Sequence, residues 1–154
     1  MTTFSDMEPL PYFGEKLAVS LRSVGWLGAE SIFKKGTTEP GVYQRLRQLL
    51  VDPFQPFVSA GLHSCELCQF EAEAHGSANL FVPADGLLLV CPGLILHYIN
   101  AHNYQAPTKF YEAVLDCPDT RSMEYKRLFL ASGGRGLMSI SSNKHLQAKP
   151  TLDG

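Results

Sequence analysis

The stretch "HSCELCQF", residues 63–70, sets two cysteines two residues apart in a chain that holds only four. A C-x2-C turn can aim both sulfurs at one point, the spacing of metal knuckles and of redox dithiols. A redox dithiol of the thioredoxin kind follows a strand in a βαβ pattern, and no such pattern flanks Cys65 and Cys68. Further along, "LILHYINAH" (94–102) supplies His97 and His102 at an H-x4-H spacing in a helical segment. Two thiolates and two imidazoles are the donor set of a tetrahedral zinc ion. The sequence therefore predicts a Cys2His2 zinc site built from Cys65, Cys68, His97 and His102. His63 is the reserve ligand, or a donor behind the ligands. His75, in a Gly/Ser loop, and His145, near the C-terminus, read as solvated.

Two features of this site need a physical account. The 28 residues between Cys68 and His97 exceed the 12 or so of DNA-binding fingers. Closing the longer loop costs only about 0.7 kcal/mol more, against roughly 10–16 kcal/mol for structural zinc binding in small peptides. The second feature is angular. At about 100° per residue, positions five apart diverge by about 140°. His97 and His102 can meet at one ion only if the helix loosens or tightens around residues 100–102.

Between knuckle and histidines, "NLFVP" and "LLLVC" are apolar runs of strand length separated by "ADG", and Asp85-Gly86 signals a hairpin. Pro83 marks an edge strand or a strand end. Pro92 is expected to open the next helix, with Leu94, Ile95, Tyr98 and Ile99 on its buried face and Asn103 as a left-handed cap. Before the knuckle, "TTEPGVYQRLRQLLVDPF" predicts a helix starting at Pro40 and stopped by Asp52-Pro53. Val42, Leu46, Leu49 and Leu50 form its apolar stripe, and Arg45 and Arg47 fall on the solvated side. "PFQPFVSAG" then reads as an extended connector. After the histidines, Pro107 starts a helix carrying Phe110 and Val114. Thr120 or Ser122 caps another, with Tyr125, Leu128 and Phe129 on one face and Gly133-Gly134 as terminator. In the first 35 residues, Leu17, Leu21 and Val24 have helical spacing that Gly25 and Gly28 cut short, and Trp26 reads as a core anchor.

The expected fold class is α+β: a small domain with a zinc knuckle, β-hairpin and helix in the manner of a treble clef, surrounded by further short helices. Residues 1–134 are expected to form this single zinc-containing domain, and 135–154 a flexible C-terminal tail. Hydrophobic residues at 45% and charged ones at 18% fit a globular body. No signal-peptide pattern opens the chain, and the most apolar run, "GLLLVCPGLIL", is too short for a membrane span. The expectation is a cytoplasmic protein with no membrane association. In that compartment four cysteines are not a disulfide framework, and Cys91 and Cys117 read as small buried hydrophobes.

The motifs "VGWLG", "LLVDPFQP", "GLHSCELC", "NLFVPADG" and "LILHYINAHNYQAPTKFYEAVL" together resemble a family of uncharacterised bacterial proteins. That family carries an H-x-C-x2-C, an N-L-F-V-P and an H-Y-I-x2-H-x-Y-x-P-P-x2-F block, and the resemblance runs from about Pro11 to Leu130. Ala106 departs from it where a second proline is favoured. The resemblance implies a small bacterial cytosolic protein with these residues as its signature and with no assigned activity.

Four protein ligands saturate a tetrahedron, so the site reads as structural, within a protein-interaction module. The alternative is a zinc hydrolase, which needs an open coordination position and a base, with Glu66, Glu71 and Glu73 as candidates. No H-E-x-x-H or comparable pairing supports it, so no catalytic residue is assigned. Nucleic-acid binding is disfavoured by charge. From Gly61 to Cys117, Lys109 stands against Glu66, Glu71, Glu73, Asp85, Glu112 and Asp116, a local charge of −5 before the thiolates are counted. Arg121, Lys126 and Arg127 gather in the last helix, as a solvated face commonly does. A protein partner fits the acidic, apolar-rich module better.

Overall fold

The apolar runs on either side of Asp85-Gly86 build the centre of the molecule. The computed structural model describes residues 3–56, 63–68, 75–76 and 78–139. Numbered in chain order, its strands are β1 (Leu21–Ser23), β2 (His63–Ser64), β3 (His75–Gly76), β4 (Asn79–Ala84) and β5 (Leu87–Pro92). Its helices are α1 (Pro40–Val51), α2 (Ile95–His102), α3 (Thr108–Asp116) and α4 (Met123–Phe129). The fold is α+β. β4 and β5 pair antiparallel from Asn79↔Pro92 to Ala84↔Leu87. They are joined by a two-residue turn with Asp85 at φ 50° and Gly86 at φ 80°. Positive φ at both centres is the hairpin turn whose twist matches its strands.

On the other side of β5, β1 runs parallel, from Leu21↔Leu88 to Ser23↔Val90, giving the order β1-β5-β4. The helical spacing of Leu17, Leu21 and Val24 is therefore misleading. Glu15–Ser20 form a short 3-10 helix, and Leu21 begins a strand whose partner lies far along the chain. Three residues give too few alternations for the period of two to show. The N-terminal segment closes the outer edge of β1, where Leu10 N–H donates to Leu21 O (3.1 Å) and Ser23 N–H donates to Glu8 O (3.0 Å). Trp26 is fully buried and donates its indole N–H to Val90 O at 2.9 Å, anchoring this segment to β5.

β4 is the opposite edge of the three-stranded sheet, as Pro83 required. Pro92, however, does not open a helix. It is the last residue of β5, opposite Asn79, where a missing N–H disturbs little, and α2 begins at Ile95 after the Gly93-Leu94 turn. α1 starts at Pro40 and buries Val42, Leu46 and Leu49 as expected. Arg45 is not merely solvated: it reaches across to donate to Cys117 O at 2.6 Å, tying α1 to the exit of α3. Of the connector beyond α1, residues 57–62 lie outside the described part. Gln55 acts as a substitute strand, donating to Asn79 O at 2.6 Å and accepting from Asn79 N–H.

Ser122 caps α4 by accepting from Tyr125 N–H. Tyr125 and Phe129 are buried against the sheet, with Tyr125 OH donating to Phe81 O at 2.6 Å, whereas Leu128 is 40% exposed and belongs to the outer face. The Gly133-Gly134 pair does not terminate the body. Leu130–Gly134 form a wide π-type turn in which Gly133 (φ 102°) redirects the chain. Residues 135–139 continue as helix and bury Leu137 completely. Helix thus continues past residue 134 as far as 139, and residues 140–154 of the expected tail lie outside the described part. No described helix is long and apolar enough to cross a membrane.

Candidate metal centre

Two backbone devices present the cysteines and two present the histidines. Cys65-Glu66-Leu67-Cys68 is a tight turn at the end of the β2–β3 ribbon, whose register is His63↔Gly76 and Ser64↔His75. α2 follows directly from the hairpin and is seated by close backbone approach. Gly25 (φ 73°) lies beneath it, and a Cβ there would stand 3.2 Å from two side-chain carbons of Ile95. Leu94, Ile95, Tyr98 and Ile99 are buried as their spacing indicated, which turns His97 toward the knuckle.

The angular problem at His102 is solved at the end of the helix. α2 is continuous through His102, so the loosening does not interrupt it. Instead the last turn widens: Asn103 N–H donates to Tyr98 O, five residues back, and Tyr104 N–H donates to the same carbonyl at 3.1 Å. Asn103 takes the left-handed conformation (φ 55°, ψ 28°) that ends the helix. The wide turn brings the His102 ring to 5.1 Å from that of His97, centroid to centroid.

The exit of α2 is then fastened. Gln105 N–H donates to Lys34 O, Gly36 N–H donates to Asn103 O (both 2.9 Å), and Lys35 bridges Tyr104. Tyr104 OH donates to Asp6 at 2.7 Å, and the same carboxylate accepts from Gly25 N–H at 2.9 Å. One carboxylate thus holds both the floor beneath α2 and the residue two beyond His102. Burial, then the charge of Asp6 and its hydrogen bond, raise the Tyr104 phenol far above its ordinary range.

The result is one constellation. Sγ of Cys65 and Cys68 and a ring nitrogen from each of His97 and His102 all lie within 4.8 Å of one another. Cys68 Sγ is 3.2 Å from His97 Nε2 and 3.6 Å from His102 Nε2, and Cys65 Sγ is 3.4 Å from His102 Nε2. With metal–sulfur and metal–nitrogen bonds of ~2.3 and ~2.0 Å, a tetrahedral S···N edge is about 3.5 Å. The donor atoms are therefore spaced to hold a metal ion. Cys65 is buried and the other three residues of the cluster are partly exposed. Burial holds the His102 imidazole below its ordinary pKa, and the His97 ring and Lys35 act in the same direction. That favours the neutral ring, the form with a lone pair to give a metal. Tyr98 is pushed up by burial and then by the neighbouring Cys65, Glu66 and Cys68.

The four residues read from the sequence as ligands thus come together. His63 lies in β2, but its side chain falls outside the described part, as do those of Glu71, His75, Glu73 and His145. Glu66 is in the knuckle turn and exposed. Cys91 and Cys117 stand apart from the site and are buried, as expected. Burial raises both thiols, Cys117 to about 11, which keeps them protonated and inert. Sequence reasoning missed Asp6, Lys35 and Tyr104, which carry no spacing signal because they reach the site through tertiary contacts.

No curated protein and no solved structure matches the chain. A family model described as a domain of unknown function, DUF7919, matches residues 2–115, a span that holds all four clustered residues, and the chain belongs to that family.

Proposed function

We propose that this is a zinc protein in which Cys65, Cys68, His97 and His102 hold one Zn2+ as a structural ion, within a protein-interaction module of the bacterial cytoplasm. The observation that carries this reading is the spacing of the donor atoms. Four of them, all from side chains, lie within 4.8 Å of one another, with S···N separations at tetrahedral-edge length. Such a donor set suits zinc, whose softness matches two thiolates and two imidazoles. While all four residues hold the ion, no position is open for the water a hydrolase requires. The order of knuckle, hairpin and helix is that of a treble clef, and we place the chain in that class.

A protein partner is supported by the surface around the site. Zn(Cys)2(His)2 is neutral, the sequence around it is acidic, and Ile32 is fully exposed on the loop beside the α2 exit. The deciding test is elemental analysis of protein purified without added metal. One zinc per chain is expected, and a metal-free but fully folded protein would overturn the reading.

A further inference from the structure

The four ligands are not equally enclosed. A hollow of about 580 Å³ opens beside the last turn of α2, and of the four ligands it is His102 that lines it. The opposite wall is the loop at residues 31–33, and Leu67 of the knuckle contributes an apolar side. Among the described residues of the lining, Lys35 is the one cationic side chain, and its ammonium stands 5.8 Å from the centre of the Phe33 ring. A passage therefore leads from solvent to His102, with the Lys35 ammonium on its wall.

We propose that His102 is the exchangeable ligand of the metal centre, and that the hollow admits a small monoanionic donor that takes its place on the ion beside Lys35. This rests on the reading of the four residues as a zinc site. The step is a ligand exchange with no change of oxidation state. The metal–Nε2 bond of His102 breaks, a bond from the donor's lone pair forms, and the imidazole leaves neutral into the hollow. The centre passes from neutral to one negative charge, which the Lys35 ammonium offsets. Loss of a thiolate instead would remove an anionic ligand, and Cys65 is buried. His97 sits inside α2, whereas His102 is its final residue, beside the left-handed Asn103. Its ring can swing outward without breaking a helical turn.

The test uses the full chain loaded with Co2+, whose visible spectrum reports the ligand set, titrated with azide as the probe. A saturable spectral change is expected, together with a nitrogen NMR signal for a released imidazole at His102. Lys35→Gln should weaken azide binding by about fivefold, the size of one exposed charge pair. The His102→Ala chain should bind azide more tightly, since no ligand has to leave. If that variant fails to hold the metal, the imidazole signal of the unsubstituted chain decides. A cobalt–thiolate spectrum indifferent to azide, an equal response in Lys35→Gln, or release of His97 instead would overturn the proposal. Failure of the zinc-site reading itself would look different: no cobalt–thiolate spectrum would form at all.

Discussion

A cysteine that is 3% exposed and a histidine inside a helix would do different mechanical work at the proposed ion. In the proposed zinc site Cys65 would fix the knuckle and His97 would fix α2, so that removing either would untie the two. Cys65→Ser or His97→Ala should each cost on the order of 5 kcal/mol, a fraction of the roughly 10–16 kcal/mol of structural zinc binding. The measurement is a thermal melt with and without a strong chelator: chelation should lower the melting temperature of the unsubstituted chain to that of the variants and leave the variants unmoved. Protons compete for the same atoms, since thiolates and imidazoles must be deprotonated to bind. His102 is held below its ordinary value, chiefly by burial. A depressed imidazole favours the neutral form, so its contribution is present above an ordinary histidine pKa of about 6.5 and fades as pH falls through and below it. Zinc retention measured by dialysis should therefore persist at neutral pH and collapse in acid, later than a free imidazole would suggest.

The last turn of α2 is where one backbone residue sets the place of His102. Asn103 sits at φ 55°, which Gly adopts freely and Ala does not. Asn103→Ala should cost about 1 kcal/mol and weaken zinc affinity in a chelator competition, while Asn103→Gly should be close to neutral in both. The elements that were legible in the sequence share a local cause. Asp85-Gly86 encodes its own turn, Pro40 and Asp52-Pro53 bracket α1, and Asn103 caps α2. The cluster of Cys65, Cys68, His97 and His102 was legible because each pair is close in sequence and has a spacing that metal chemistry favours. What stayed hidden is what only distant partners create. β1 is a strand because β5 lies beside it, Pro92 belongs to a strand because Asn79 faces it, and Arg45 is engaged because Cys117 is near. Gly133 misled for a subtler reason: a positive-φ glycine ends a helix or redirects it, and buried Leu137 decides which.

Charge and connectivity govern the molecule as a whole. The basic residues toward the C-terminus are less available than their sequence suggests, because Arg121 is held by Asp52 in a two-pronged ion pair. With the sequence from residue 61 to 117 carrying a net charge of −5, duplex DNA should bind weakly, on the order of 10⁻⁴ M at physiological salt. Micromolar binding in a fluorescence titration, abolished by replacing Lys126 and Arg127, would contradict this. The family match ends at residue 115, yet α4 seats Tyr125 and Phe129 on the sheet. A chain cut after Asp119 should therefore lose cooperative unfolding by calorimetry even with zinc present. The parallel pairing of β1 with β5 has a consequence in time. Leu21 leaves the ribosome well before Leu88, its partner, and at about 5–20 residues per second the interval is several seconds. During it, Leu10, Leu21, Val24 and Trp26, all buried in the finished protein, have no sheet to lie on. The nascent N-terminal third is therefore a ready client for a chaperone, and the hairpin that completes the sheet is also what ends that dependence.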